Sequence, residues 1–509
     1  MIDNLALQPM RLRGAVAPLG VALVAVLLLG GATVAASSSP QAFVAFAAAL
    51  VVLAAVAAAR WPRTAIVLVL LSPIVDRYIV ADLLPAEIAS ASHYLSEALL
   101  LTVSVILAWR AWTDGRLIAA FRHPVTVALL AFTALAGLSA IVNGVPPHVA
   151  VIGLVFTLDA VALFFLPRLV GFTLRQTLAV VGVIGGIVLT AAVLAIGQAL
   201  LMPRLFGMVP VRGRFGEEVR LASLFGDPNV FGAFLVSAVP FALIAAARLP
   251  DRRLRWLAGA IAFVLLLALW LSFSRGAWIA LVLGVGFMLA IVDRRALLLG
   301  ALGCVLTFVA ADTMPRNLLV ERKPPRTNMV DSTIDRVETI GVGGDLRTLF
   351  VIQSIPVFRD HALLGVGPGR FGGAVANTFP TPIYDEYEFG ELFWSPKQRT
   401  VDNFWLHLVI EAGLLGTAAF LAAVLIPGVR VVRAARAAVG WRRIALGGIA
   451  AGTAGLAVSS GSTMLLEANS IGFLFWLLLG LGALVVAAAG VDDPDRAPPA
   501  PGEAPAPAA

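Results

Sequence analysis

Hydrophobic residues along this chain come in long runs, and short segments that hold most of the charge separate them. A run of roughly 17 to 25 apolar residues is the length that an α-helix needs to cross about 30 Å of hydrocarbon. The pattern therefore predicts an all-α, polytopic integral membrane protein with about 14 (12–14) transmembrane helices. The predicted spans are 14–36, 41–59, 64–82, 92–112, 125–143, 148–167, 177–201, 229–247, 256–273, 276–293, 296–312, 402–425, 443–461 and 468–489.

Composition indicates the same class of protein. Of the 509 residues, 60% are hydrophobic and 13% are charged, and the mean hydropathy is +0.94. A soluble domain usually carries about 25% charged residues, so a water-soluble globular protein is excluded. The one cysteine, Cys304, excludes an intrachain disulfide framework and a thiolate metal cluster.

The distribution of arginine predicts the orientation of the chain. With the N-terminus in the cytoplasm, most arginines of the short connections fall on the cytoplasmic side, as the positive-inside rule expects. The outer connections 37–40, 83–91, 144–147 and 462–467 contain neither Lys nor Arg. Both termini are therefore predicted to be cytoplasmic, and one large loop is predicted to be external.

This topology divides the chain into five segments. The last of them, the tail at 491–509, is rich in Pro and Ala and is predicted to be disordered, because it cannot bury a core. The segments are N-terminal transmembrane helices (1–200), membrane helices with the arginine motifs (201–312), the large periplasmic or external loop (313–401), C-terminal transmembrane helices (402–490) and the cytoplasmic tail (491–509).

Six cations on the predicted outer side depart from the charge rule. The net charge of +7 is spread over many short connections, so nucleic acid is not an expected partner. Guanidinium groups match phosphate oxygens in a bidentate way, and a phosphorylated lipid substrate on the outer face would explain the cluster. The six are Arg77, Arg204, Arg212, Arg214, Arg220 and Arg275.

Two of these arginines begin distinct motifs. Arg275 stands at the junction of two spans in LWLSFSRGAWIALVLG. It is either a helix-end arginine that reaches lipid headgroups or an anion site that faces a cavity. Arg220 opens VRLASLFGDPNVFGAFL, in which Asp227 is predicted to cap a helix and Pro228 to take its first position. Capping does not explain the arginines that crowd this loop.

The long external loop contains two further segments. The first, RTLFVIQSIPVFRDHALLGVGPGRF, predicts a helix from Arg347 and then a glycine-rich turn at Gly365, Gly367 and Gly369, which permits close backbone approach. The second, YDEYEFGELFW, combines carboxylates with aromatic rings. It is either solvated surface or a surface that contacts sugar.

Polar residues open the next predicted span in VDNFWLHLVIEAGLLG. Asp402 lies at its outer mouth, where an Asp is commonly a helix cap. Glu411 would lie within the bilayer unless the helix starts outside it. At 100° per residue, His407 is turned by about 140° from Asp402, so the two are predicted to face different directions.

Together these segments resemble the O-antigen ligase and Wzy-type polymerase superfamily of bacterial envelope glycosyltransferases. The resemblance rests on Arg220 with FGDPN downstream, on SFSRGAW around Arg275, on LLGVGPGRF in the outer loop and on DNFWLHLVIEAGLLG. It covers residues 200–425 and agrees with the predicted topology.

The resemblance implies transfer of a glycan from an undecaprenyl-diphosphate carrier to an acceptor hydroxyl on the outer face of the bacterial cytoplasmic membrane. In that family two arginines hold the diphosphate, and Arg220 and Arg275 are the positions that match. Arg212 and Arg214 in the same loop are added as candidates for this role.

The sequence departs from the ligase pattern at one position. The ligases carry His, then Asn, Ser or Gln, nine residues, Gly, two residues and Gly. The register here gives Asp402, Asn403, Gly413 and Gly416. An ionised carboxylate can accept a hydroxyl proton, so Asp402 is the predicted catalytic base. The departure favours a polysaccharide polymerase over a ligase.

Displacement of a lipid diphosphate requires charge to be stabilised on the leaving group by a metal or by cations. No acidic pair suited to a metal accompanies the outer arginines, so we expect a metal-independent, inverting enzyme without a cofactor. The expected partners are membrane lipid, the polyprenyl-diphosphate-linked oligosaccharide substrate and a chain-length regulator. The candidates for acceptor or glycan contact are Asn403, Arg347, Arg370, Glu411 and His407.

Two alternatives stay open. The first is a ligase that transfers the finished glycan to lipid A core, cell-wall polymer or protein. The second is a polysaccharide or lipid transporter, a class that usually places ionisable residues near the midplane of several helices. Asp159 is the main residue of that kind.

Overall fold

A computed structural model describes residues 40–75, 95–200, 211–212, 219–313, 346–392 and 400–491. Apart from turns and loops, these residues form helices and one two-residue antiparallel pairing of β1 (Val211–Arg212) with β2 (Val219–Arg220). The helices are α1 (Pro40–Arg60), α2 (Pro62–Val75), α3 (Leu95–Thr113), α4 (Leu117–Phe121), α5 (Pro124–Val142), α6 (Pro147–Leu158), α7 (Ala162–Val170), α8 (Leu174–Leu200), α9 (Pro228–Arg248), α10 (Arg252–Leu271), α11 (Arg275–Val292), α12 (Arg294–Thr313), α13 (Leu346–Asp360), α14 (Ala374–Thr378), α15 (Pro382–Glu386), α16 (Phe404–Ala437), α17 (Gly440–Ser459) and α18 (Asn469–Val491).

These helices overlap every predicted span except 14–36, which lies outside the described residues. Residues 76–82 of the predicted span 64–82 and most of the predicted tail, 492–509, also lie outside them. In the described part, nine helical stretches are long and apolar enough to cross a membrane. The chain is thus a multi-pass, all-helical membrane protein, because helices satisfy their own backbone groups in hydrocarbon.

Polar side chains set where several helices begin. Asp227 accepts the backbone N–H groups of Asn229 and Val230 at 2.7 and 3.0 Å, and Pro228 takes the first helical position of α9, as predicted. Asp251 caps α10 in the same way. Because the first N–H groups of a helix have no partner inside it, each carboxylate fixes a helix start.

Small residues let the central helices approach closely. α9 packs along α17, where a Cβ added to Gly452 would lie 2.7 Å from the carbonyl oxygen of Ser237. A π-helical stretch, Ala280–Gly286, forms the middle of α11. Its Gly284 faces α17, where a Cβ would lie 2.8 Å from the carbonyl oxygen of Ala454. Close backbone packing therefore holds the centre of the bundle together.

A buried ion cluster ties three helices together at one end of the bundle. Asp293, between α11 and α12, accepts from Arg248 at 2.6 Å and from Arg443 at 3.1 Å. Burial alone would raise the pKa of Asp293, but the hydrogen bonds and charges of the two arginines hold that pKa below its ordinary value. The opposite end carries Arg220 and Arg275, and we call it the motif end.

The long helix α16 changes direction at Gly413, whose φ of 63° and ψ of −172° are not helical. The segment before this break (Phe404–Ala412), called the entry segment, starts at the motif end of α17, where its first N–H donates to the carbonyl of Ser460 at 2.9 Å. At the break it meets Gly365, whose carbonyl accepts from Asn143 at the end of α5. The entry segment thus runs across the motif end before α16 crosses the bundle.

Residues 346–392, most of the described part of the predicted external loop, form a small core at the motif end together with Val401 and Ile410. One side of α13 supplies Phe350, Ser354 and Val357, which are 5%, 1% and 0% exposed. The hydrophobic residues of that side pack in one cluster with Phe371 and Phe389. The predicted helix after Arg347 is therefore confirmed.

Candidate functional site

Arg220 is held over a turn that joins two spans. Its Nε donates to the carbonyl of Ser272 at 3.3 Å, and one terminal nitrogen donates to Oδ1 of Asn229 at 2.8 Å. The hydroxyl of Ser274 donates to the same Oδ1 at 3.0 Å. The loop that carries Arg220, the first turn of α9 and the turn after α10 are thus fixed to one another.

Arg275 begins α11 directly after this turn. Phe273 within the turn has a φ of 47°, a left-handed conformation that costs energy for a residue with a Cβ and often marks functional sites. The side chain of Arg275 is partly buried. The structure therefore brings Arg220 and Arg275 together on the two sides of one turn.

Asp402 lies at the same end of the bundle. The turn after α17 connects it to Arg275, because Phe404 bonds to Ser460 and a Cβ on Gly276 would collide with Ser462 of that turn. Asp402 and Arg275 therefore flank the same short segment.

The charge of Asp402 depends on two neighbours. A guanidinium nitrogen of Arg347 lies 3.7 Å from its carboxylate, and the Asp402 side chain is 54% exposed. Partial burial raises the pKa of Asp402, the charge of Arg347 lowers it and the charge of Asp227 raises it, with a net upward shift. Arg347, predicted to contact glycan, is thus placed beside the predicted base.

Asn403, rather than Asp402, caps α16. Its side-chain oxygen accepts the N–H of Leu406 at 3.1 Å, whereas Asp402 precedes the helix with a φ of 47°. The capping alternative for Asp402 is therefore wrong, and its carboxylate is available for other contacts. The cap also occupies the side-chain oxygen of Asn403, which was predicted to contact acceptor or glycan.

Glu411 faces backbone of the loop. Its carboxylate accepts the N–H groups of Gly369 and Phe371 at 2.9 and 2.7 Å and is buried. His407, one turn earlier, is also buried, and its Nδ1 contacts the carbonyl oxygen of Phe371. These two residues hold the loop against the entry segment, whereas Asp402 precedes the helix and lies beside Arg347.

The glycine-rich turn packs against the backbone of α16 at its break. Gly365, Gly367 and Gly369 have φ values of 74°, 99° and 79°, which residues with a Cβ rarely adopt. The N–H of Gly367 donates to the carbonyl of Glu411 at 3.0 Å. The turn therefore docks backbone against backbone, where side chains would not fit.

Of the remaining predicted arginines, the structure describes the side chain of Arg370 alone. Arg370 donates to the carbonyl of Gly144 at 3.3 Å. Burial lowers the pKa of its guanidinium, and the charge of Glu386, which raises that pKa, offsets only part of this effect. The backbone of Arg212 pairs with that of Val219, but its side chain lies outside what the structure describes, as do Arg77, Arg204 and Arg214 entirely.

Residues of the acidic and aromatic segment YDEYEFGELFW differ in burial. Tyr384 and Phe389 are buried in the loop core, whereas Asp385 is exposed. Burial and a hydrogen bond to Asp360 raise the pKa of Tyr387 to about 12. The buried rings of Tyr384 and Phe389 thus have a structural role in the described part of this segment.

The sequence did not predict three parts of the site, which are Asn229, Ser274 and the turn at 460–462. Asn229 follows the capping pair in GDPN, so its position beside a predicted cap was visible, but nothing local showed that it would meet Arg220 and Ser274. The turn after α17 carries no charge and gave no signal.

Residues 260–421 match the family model Wzy_C, described as O-antigen ligase. The match includes Arg275 and Asp402, whereas Arg220 precedes it. This part of the chain is therefore similar to O-antigen ligases, which supports the predicted resemblance to the ligase and polymerase superfamily. No curated protein matches the chain.

Proposed function

We propose that the chain polymerises undecaprenyl-diphosphate-linked oligosaccharide repeat units on the outer face of the bacterial cytoplasmic membrane. The observation that carries the proposal is the position of Arg220 and Arg275 on the two sides of one turn, with Asp402 at the same end of the bundle. Two cations and one carboxylate are the groups that this transfer requires.

The arginines would bind the diphosphate of the donor. Arg220 is oriented by the oxygens of Ser272 and Asn229, so part of its side-chain entropy is lost before substrate binds. Arg275 starts a helix, where the aligned backbone dipoles also favour an anion. Both features would stabilise the negative charge that develops on the leaving group.

Asp402 would act as the base. Its carboxylate would accept the proton of the acceptor hydroxyl as the acceptor oxygen bonds to the anomeric carbon. The bond from that carbon to the phosphate oxygen would break, its electron pair would leave with undecaprenyl diphosphate, and the anomeric configuration would invert. We propose that the arginines replace a metal here, and a chain-length regulator is the expected protein partner.

A ligase is the second candidate. The description of the matching family favours it, because O-antigen ligases transfer a finished glycan to a different acceptor. The donor site would be the same in both enzymes, and the acceptor alone would differ.

The test is an assay of the purified protein in chelator, with a defined undecaprenyl-diphosphate oligosaccharide as the sole substrate and products resolved by gel or mass spectrometry. A ladder that differs by one repeat supports the polymerase. Transfer that requires an added lipid A core, cell-wall or protein acceptor supports the ligase. Absence of both products, with substrate binding demonstrated, would overturn the proposal.

Arg275→Ala, and separately Arg220→Ala, should abolish product while the protein stays folded in the membrane. Arg255→Ala is the matched control, because this exposed arginine lies near the start of α10, at the other end of the bundle. Normal product from both motif variants would refute the diphosphate assignment.

A further inference from the structure

α13 has a second hydrophobic side, which faces away from the loop core. It consists of Val351, Ile352 and Ile355, which are 43%, 54% and 43% exposed. At 100° per residue these three lie within an arc of about 100°, opposite the buried side of the helix. We call this the apolar face of α13. Neighbouring apolar side chains exposed on one face indicate a surface that another apolar phase covers.

The first end of α13 lies at the level where the spans end. Arg347 in its first turn lies 3.7 Å from Asp402, which directly precedes the entry segment. The entry segment begins beside Ser460, the residue after α17. The start of α13 is therefore close to the end of a helix of the bundle.

The second end of α13 joins the perimeter of the bundle. The carbonyls of Ala362 and Leu363, just after the helix, accept from Leu414 and Leu415 of α16 at 2.8 and 3.2 Å. Leu363, Leu414 and Leu415 are 62%, 48% and 46% exposed. Leucines exposed on the perimeter of a membrane span face lipid, so this end of α13 continues into the lipid-facing surface.

With both ends at the level of the motif end, α13 runs along that end of the bundle instead of projecting from it. Arg359 is exposed and lies one turn after Ile355 on the apolar face, so its guanidinium could reach phosphate oxygens. We infer that the apolar face of α13 rests in the lipid surface of the leaflet at the motif end, with anionic headgroups beside Arg359. This arrangement is that of an interfacial amphipathic helix.

The experiment places an environment-sensitive fluorophore on single cysteines in a Cys304→Ser background. Ile352→Cys and Ile355→Cys are labelled with the dye NBD, and the full chain is reconstituted in vesicles of phosphatidylglycerol and phosphatidylethanolamine. Brominated acyl chains then serve as the quencher. Leu415→Cys is the lipid-facing control, and Asp385→Cys in the loop is the water-exposed control.

We expect emission at residues 352 and 355 to be blue-shifted and quenched by brominated lipid by at least half as much as at residue 415, with no quenching at 385. Quenching at 352 and 355 no greater than at 385 would overturn the inference. That result would also follow if another segment of the chain covered the face.

A second measurement uses the unaltered chain. Vesicles that contain a lipid with a diazirine near the head of its acyl chain are irradiated, and labelled peptides are mapped by mass spectrometry. Label in the peptide that spans residues 348–359 supports the lipid contact, and label confined to the membrane spans refutes it. Neither readout needs glycosyl transfer, so the inference and the proposed function can fail separately.

Discussion

At the scale of single residues, Asp402 is the group whose environment has the clearest consequence. Its pKa lies above the ordinary Asp value because partial burial and Asp227 outweigh Arg347. A base must be ionised, so the rate should fall as pH drops through this raised pKa. Arg347→Ala removes the charge that lowers the pKa and should move the acid limb of kcat/KM to higher pH. Asp227→Asn keeps a helix cap and should move it to lower pH.

The matched control for this pair is Arg359→Ala, which removes an exposed arginine from the other end of the same helix. Its acid limb should coincide with that of the wild type. An acid limb that stays in place in all three variants would show that a different group is the base.

A second residue-scale prediction compares Asp402 with His407. Asp402→Asn should leave the fold intact and lower turnover by about 10²–10⁴-fold, the usual effect of losing a general base. His407→Ala should instead lower the thermal unfolding temperature in detergent, because His407 is buried against the loop backbone and Glu411. Turnover of the folded fraction should change little, and the reverse ranking would move the base to His407.

The limits of sequence reading are clearest at this scale. Arg220, Arg275 and Asp402 could be singled out from the sequence because unusual charge at one side of a membrane has few explanations, and the structure places all three at the motif end. Glu411 was predicted to contact glycan, but its carboxylate binds backbone N–H groups of residues 369 and 371. A partner some forty residues away leaves no local pattern, and the same holds for Asn229 and Ser274.

At the scale of secondary-structure elements, the break in α16 is the feature that docks the loop. Gly413 occupies a region of φ and ψ that is essentially restricted to glycine, and an added Cβ would collide with the carbonyl of Leu363. Gly413→Ala should therefore destabilise the protein by about 2 kcal/mol or more, from strain together with overpacking. The measurement is thermal unfolding of the purified protein.

Gly428→Ala is the control within the same helix, because no atom lies within 4 Å of its added Cβ. In a helical position this change should be neutral or slightly stabilising. Equal unfolding temperatures for the two variants would argue against the docking role of the break.

The helices themselves were predictable and this break was not. Apolar runs predicted the approximate positions of the described helices, but α16 continues through Arg430, Arg433 and Arg436 to Ala437, twelve residues beyond its predicted end. The pattern VIEAGLLG reads as uninterrupted helix. The break depends on a second segment of chain that enters at Gly413, and that contact becomes visible in three dimensions alone.

At the scale of the whole molecule, the orientation of the bundle can be tested directly. Asp385→Cys and Val439→Cys, each in a Cys304→Ser background, place exposed thiols at opposite ends, and Val439 is 80% exposed between α16 and α17. The predicted topology requires a membrane-impermeant maleimide to label residue 385 in cells with an opened outer envelope and an intact cytoplasmic membrane. Residue 439 should react after permeabilisation, and the opposite pattern would invert the topology.

The π-helical stretch of α11 determines the rotation about the helix axis between the two ends of this helix. In a regular α-helix, Gly276 and Gly284 would be turned by about 80° from each other, yet both face the element formed by α17 and its following turn. One extra residue in the wider turn reduces that offset to about 20°. A deletion of one residue within 280–286 would therefore turn Arg275 by about a quarter circle relative to the rest of the bundle, and alignments of relatives whose helix lacks the wide turn should carry a one-residue gap there.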